Sequence, residues 1–263
     1  MNAYNAILSA QFRTLLQYRA AAVAGIVTQI FFGFVIVQVY EAFYASTTEV
    51  MPISLREVII YTWLGQAMLG MVPWNVDGDI RAQIRTGGVA YELLRPVDLY
   101  NLWYARNIAR RTAPTILRAI PMFIIAALFL GLEAPPSQAA ALAWVGATFC
   151  ALLLSCAIGT FMAITLMWTI SGEGATYIVV SMVIFFSGQY VPLPLMPDWL
   201  RWLAEFLPFR GLIDIPFRLY LGHIPAADGL WLMASQLAWT AAIVIAGRAL
   251  LALGKRRLVV QGG

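Results

Sequence analysis

The side chains best suited to chemistry are few and badly placed for catalysis. His223 is the only histidine, which excludes H-E-x-x-H and most zinc constellations. Cys150 and Cys156 are the only cysteines and share one apolar run. Six residues apart on a helix, they lie about 9 Å apart along the axis and on different faces, so they neither pair nor chelate. The sequence has no G-x-x-x-x-G-K-[ST] loop to cradle a nucleotide and no G-x-S-x-G elbow to expose a serine. The expectation is a chain with no catalytic residue, no metal site and no cofactor of its own.

Charge is concentrated instead in one stretch, Asp77 to Arg111, which holds six of the seventeen Lys and Arg: Arg81, Arg85, Arg95, Arg106, Arg110 and Arg111. Membrane-length apolar runs flank it. A basic loop so placed reads as cytoplasmic under the positive-inside rule. It is also where a separate motor protein can grip the membrane part, although an ordinary topogenic loop has the same composition. Within it, Gly87-Gly88 and Arg95-Pro96 bracket Val89, Ala90, Tyr91, Glu92, Leu93 and Leu94. That bracketed run can form one or two helical turns presenting a compact face.

The elements holding these residues must be membrane helices. Of 263 residues, 61% are hydrophobic and 11% charged, against ~25% charged in soluble domains. The chain reads as a single all-α, polytopic membrane domain over residues 1–263. Its net charge of +4 lies beside apolar spans, where topology and anionic lipid account for it better than nucleic acid.

Residues 1–19 place Ile7, Leu8, Phe12, Leu15 and Leu16 at helical spacing, as an amphipathic helix at the inner surface or a plain lead-in to the first span. The first apolar run follows Arg19 and lacks a cleavage site, so it is retained rather than removed as a signal. Six spans follow: about Ala20–Tyr40, Val58–Val76, Arg110–Leu132, Ala139–Ile170, Ala175–Phe186 and Leu230–Leu253. Gln66, in the second, lines a pathway or makes an interhelical hydrogen bond. Arg118 snorkels to the inner headgroups or meets substrate.

Beyond Phe186, Pro192, Pro194 and Pro197 cannot continue a lipid-facing helix. The chain is expected to turn partway into the outer leaflet, then lay an amphipathic helix around Trp199 and Trp202 on the external interface. His223 is expected in a solvated external loop. With both termini cytoplasmic, eleven Lys and Arg fall on inner segments and four on outer ones, while acidic residues divide five inside and eight outside. The spans hold essentially no Asp or Glu, which disfavours an ion-coupled secondary transporter or channel. Missing nucleophiles and metal ligands disfavour a membrane enzyme.

Two segments carry a resemblance: IRTGGVAYELLRPVD, Ile84 to Asp98, and SGQYVPLPLMPDWLRWLAEFLPF, Ser187 to Phe209. With the six spans and the N-terminal helix, the chain resembles the membrane subunits of ATP-binding-cassette (ABC) exporters of the type-2 permease class. ELLRPVD and the later LPFRGLIDIPFRLYLG, Leu207 to Gly222, look like its small six-span subgroup.

The resemblance implies a permease in the plasma (inner) membrane, paired with a second copy or a paralogue and driven by two copies of an ABC ATPase that bind ATP and Mg. It implies coupling through residues 77–111, with Arg85, Gly87, Gly88, Tyr91, Glu92, Leu93, Leu94, Arg95 and Pro96 at the ATPase. It implies an external gate hairpin over 187–209, with Ser187, Gly188, Gln189, Tyr190, Pro192 and Pro194 lining gate or pathway beside Gln66.

Overall fold

The computed structural model describes residues 3–168 and 173–255, and no strand occurs among them. The helices are α1 (Ala3–Leu16), α2 (Arg19–Ser46), α3 (Leu55–Ala67), α4 (Gly78–Arg85), α5 (Val89–Leu93), α6 (Leu99–Phe129), α7 (Gln138–Thr165), α8 (Glu173–Ser187), α9 (Asp198–Phe206), α10 (Asp214–Leu221) and α11 (Gly229–Lys255). Four are long and apolar enough to cross a membrane: α2, α6, α7 with its 3-10 extension to Trp168, and α11 with the short turn before it. Helix α7 is the centre of the bundle. Its apolar stretch is 72% buried, whereas those of α2 and α11 are 22% buried and leave rows such as Val27, Phe31 and Phe34 exposed.

The expected spans meet these helices unevenly. The last runs from Gly229 to Lys255 as anticipated. The third is the apolar part of a helix that begins at Leu99, where the helical pattern of the sequence also begins, with Asp98 capping it by accepting a hydrogen bond from the Asn101 N–H at 2.9 Å. Pro114 and Pro121 lie inside α6 without ending it. The end expected for span four, at Ile170, lies outside the described residues.

The second span differs most. Helix α3 stops at Ala67 and gives way to a 3-10 turn, Leu69–Met71, and then to extended backbone at Val72. Pro73 has no N–H to donate to Leu69 O, and the extended backbone at Val72 takes the N–H groups four residues on away from Met71 O and Val72 O. Side chains replace them. Trp74 Nε1 donates to Leu69 O at 2.8 Å, Ser155 Oγ to Met71 O, and Arg111 Nη1 to Val72 O at 3.0 Å. Irregular backbone survives at this depth because α6 and α7 satisfy it internally.

Two sets of polar contacts fix the bundle's ends. At one, Arg56 pairs with Glu133, Tyr220 donates to Glu133 O at 2.6 Å, and His223 Nε2 lies 2.7 Å from Glu57 Oε1. His223 is thus held against the start of α3 instead of standing free in a loop. At the other, Arg106 and Arg110 bind Asp77, and Arg248 of α11 binds Asp98 while lying 4.8 Å over the Tyr100 ring.

Candidate functional site

Two regions collect the residues singled out by the sequence: the charged loop, and the break after α8.

The loop is built on buried acids. Asp77 is buried and caps α4, accepting from the Asp79 N–H at 2.9 Å. Its carboxylate also meets Arg106 at 3.1 Å and Arg110 at 3.2 Å. After α4, Gly87 takes φ +73°, a left-handed conformation that costs glycine little, and the chain reverses into α5. Val89 is buried with Ile80 in the main core.

Glu92 is 5% exposed. It accepts hydrogen bonds from Gln83 Nε2 at 2.9 Å and from Trp103 Nε1 at 3.2 Å. Through this one carboxylate α5 is fastened to both α4 and α6. Its neighbours point the other way: Tyr91 is 76% exposed, Leu94 82%, and Leu93, Arg85, Arg95 and Pro96 also stand out from the surface. The result is a short apolar ridge on a rigid base, flanked by arginines. Gly88 begins the helix and leaves little side-chain bulk at the turn.

At the second region α8 ends at Ser187, which is buried. Gly188 has φ +85°, and a Cβ there would lie 2.6 Å from Tyr61 Oη and 2.9 Å from Leu193 Cδ1. Only glycine fits both the backbone and the space. Gln189 is buried and donates to Gly65 O at 3.4 Å, next to the buried Gln66. Tyr190 is half exposed, and its carbonyl accepts from Tyr40 Oη at 2.6 Å. Pro192 is buried ahead of a 3-10 turn, Leu193–Leu195, that includes Pro194. Helix α9 then shows Trp199, Trp202 and Phe206 on its open side.

A residue outside that set proves central. Asp214 opens α10, is fully buried, and neither carboxylate oxygen has a hydrogen-bond partner. Arg218 Nη1 stands 3.7 Å away. Burial pushes this carboxyl up to about 6, more than the nearby Arg218 and Arg210 guanidinium groups pull it down. Part of the signal was present in the sequence: Asp214 and Arg218 are spaced by four, which puts both on one face of α10, while Arg210 lies in the separate 3-10 turn Pro208–Leu212. Asp214, Glu92 and Asp77 are all buried, yet each lies outside the six spans that the sequence leaves essentially without Asp or Glu. No cluster of three or more metal-ligating side chains occurs among the described residues.

The all-helical bundle of the described residues, its long apolar helices and a charged loop at one end define a multi-pass membrane protein. The sequence model of the ABC-2 family transporter proteins matches residues 13–262, and the chain belongs to that family as a permease-type membrane protein. Comparison with curated proteins gave no significant match.

Proposed function

We propose that this chain is the permease subunit of an ABC-type exporter, forming the translocation path while a separate ATPase supplies the energy. Two copies of that ATPase, carrying ATP and Mg, close on one another and press on the α5 ridges of two permeases, the second being another copy or a paralogue. Each nucleotide state favours a different permease conformer through the contacts it makes with that ridge. The protein sits in the plasma (inner) membrane with both termini and the charged loop in the cytoplasm, in line with the excess of basic residues on those segments.

Six crossings are supported by the path of residues 55–77. This segment starts beside Glu133 at one end of α6 and finishes beside Arg110 and Arg111 at the other. Arg111 to Phe129 spans about 27 Å of helix, close to the ~30 Å hydrocarbon core. The gate hairpin is supported by the short α8. Fifteen residues reach only about 22 Å and stop where Gly188 meets Tyr61, before the chain continues outward.

The observation that carries the reading is the exposed ridge of Tyr91, Leu93 and Leu94 on the buried Glu92 anchor. Tyr and Arg are enriched among the residues that carry most interface energy, and the ridge offers both in the exposed Tyr91 and Arg95. Co-expression with a P-loop ATPase from the adjacent reading frame tests it. Leu94→Glu is expected to leave the permease inserted while co-purification and stimulated ATP hydrolysis fall about tenfold or more, the equivalent of ~1.4 kcal/mol. Unchanged co-purification and unchanged stimulation would remove the ridge as the coupling surface.

Asp214 favours a second reading, a self-contained proton-coupled transporter, because a fully buried carboxyl whose oxygens have no hydrogen-bond partner suits proton movement. Vesicles holding this subunit alone, supplied with a proton gradient and no ATPase, decide between the two. Uphill solute movement there supports the second reading and ends the first.

A further inference from the structure

Four buried polar atoms with no hydrogen-bond partner lie around the break after α8: both carboxylate oxygens of Asp214, Tyr61 Oη and Gln189 Oε1. They come from three elements. Tyr61 is on α3, Asp214 on α10, and Gln189 on the hairpin itself. Gly188 is where they meet: the point a Cβ would occupy there is 2.6 Å from Tyr61 Oη and 3.7 Å from Asp214 Cβ. The neighbouring Gln189 seats its carboxamide against Gly65, one turn along α3 from Tyr61. The hairpin backbone thus lies directly on Asp214, and the side chains under it are cut off from solvent.

The charges around Asp214 do not replace what hydration would give it. On its own helix, Arg218 Nη1 stands 3.7 Å from Oδ2, too far for a hydrogen bond. Arg210, in the turn Pro208–Leu212, adds a second positive charge, and Glu205 of α9 a negative one. Tyr61 faces it from α3, with Tyr40 of α2 beside Tyr61. Helix α7, packed along α10, carries no Asp, Glu, Lys, Arg or His. A carboxylate buried in this way is penalised, and a neutral carboxyl far less. Lifting the hairpin lets water reach the carboxylate and removes the penalty. Closure and protonation therefore favour each other.

We propose that the hairpin after α8 is a lid whose closure depends on a proton at Asp214: closed over the neutral carboxyl, released when it ionises. The proton enters and leaves on the side where the lid opens, and none crosses the membrane, unlike in the proton-coupled transporter considered above. Burial raises the carboxyl to about 6 in the closed form, against ~3.9 for one open to water. The contribution to closure is complete below about 4 and is lost as pH rises through 6. As an outer gate the lid rests on the permease reading, but measurements on the chain without ATPase can fail while that reading stands, and the reverse.

Hydrogen–deuterium exchange of the full chain in detergent, read over residues 188–197 and corrected for the chemical exchange rate at each pH, tests this. Leu195 and Met196 are the reporters, their N–H groups donating to Pro192 O at 2.9 Å and to Leu193 O at 3.0 Å. Wild-type protection is expected to fall about tenfold from pH 5 to pH 8, with α7 exchanging more slowly at both. Asp214→Asn should keep the hairpin at its pH 5 protection throughout. Arg218→Gln, which removes the cation beside the carboxylate, should move the fall to higher pH, and it keeps the proposal falsifiable if Asp214→Asn does not fold. Equal wild-type protection at the two pH values, the same fall in Asp214→Asn, or hairpin amides exchanging no faster than α7 would overturn the lid. So would an Arg218→Gln profile that coincides with wild type.

Discussion

Glu92 does its work out of sight of any partner. Its carboxylate is the acceptor for both Gln83 and Trp103, so Glu92→Ala leaves a buried indole N–H unsatisfied at a cost of about 1–3 kcal/mol. The expected outcome is a lower melting temperature in detergent and faster proteolysis between α4 and α6, with Glu92→Gln losing less because it keeps an acceptor. Equal stability of Glu92→Ala and wild type would mean that α5 is held by Val89 alone. A charged residue between Tyr91 and Leu93 reads from the sequence as part of the exposed face. Its inward turn depends on Trp103, eleven residues on, which no local pattern reveals. Asp214 makes a pH-dependent prediction. Its carboxyl is held near 6 in the fold and near the ordinary ~3.9 when unfolded. Between those values the folded state binds more protons, so this group's contribution to stability falls as pH rises. Above about 6 the penalty is complete. The stability of Asp214→Asn relative to wild type should therefore grow by on the order of 2 kcal/mol from pH 4 to pH 7, read from denaturation at each pH. A difference that stays constant across that window would show Asp214 titrating normally.

At the scale of elements, the long spans were legible because apolar runs bounded by charge fix their number of turns, and α2, α6, α7 and α11 follow them. The breaks were legible only in part. Pro192 and Pro194 announce a stop, and α8 does end just before them. Pro73 hints at a kink, but the helix gives way six residues earlier, at Ala67. The reason lies in tertiary partners: the Ser155 hydroxyl and the Arg111 guanidinium accept the role of the lost helical donors. Ser155→Ala should therefore expose the weakness of this segment, leaving Met71 O buried without its donor and costing about 1–2 kcal/mol, measured as a fall in detergent stability. Wild-type stability in Ser155→Ala would mean the break needs no help from α7. The α8 break rests on Gly188 instead. Gly188→Ala combines a positive φ with a 2.6 Å approach to Tyr61 Oη, and about 1–3 kcal/mol of destabilisation is expected. Its recovery by Tyr61→Phe, which removes the nearest atom, would separate crowding from backbone strain.

At the scale of the whole molecule, the coupling and gate readings depend on which end of each helix lies on which side of the membrane. Contacts within the bundle settle relative order. Glu57, Glu133, Tyr220 and His223 gather at one end, and Asp77, Arg106, Arg110 and Arg248 at the other. In the proposed topology the second group faces the cytoplasm, the side that an excess of basic residues favours. Both native cysteines are buried, so single introduced cysteines can be labelled against a quiet background. Val50 is 99% exposed and Trp202 71%, on segments assigned outside, and Tyr91 stands exposed on the loop assigned inside. An impermeant maleimide added to intact cells should label Val50→Cys and Trp202→Cys, and reach Tyr91→Cys only after permeabilisation. Each result fixes a different crossing. Tyr91→Cys labelled from outside together with Val50→Cys would mean that residues 55–77 do not traverse the bilayer, leaving α5 out of reach of any cytoplasmic ATPase. Trp202→Cys protected along with Tyr91→Cys would place α9 inside and convert the hairpin after α8 from an outer gate into a cytoplasmic element, whatever the ridge on α5 does.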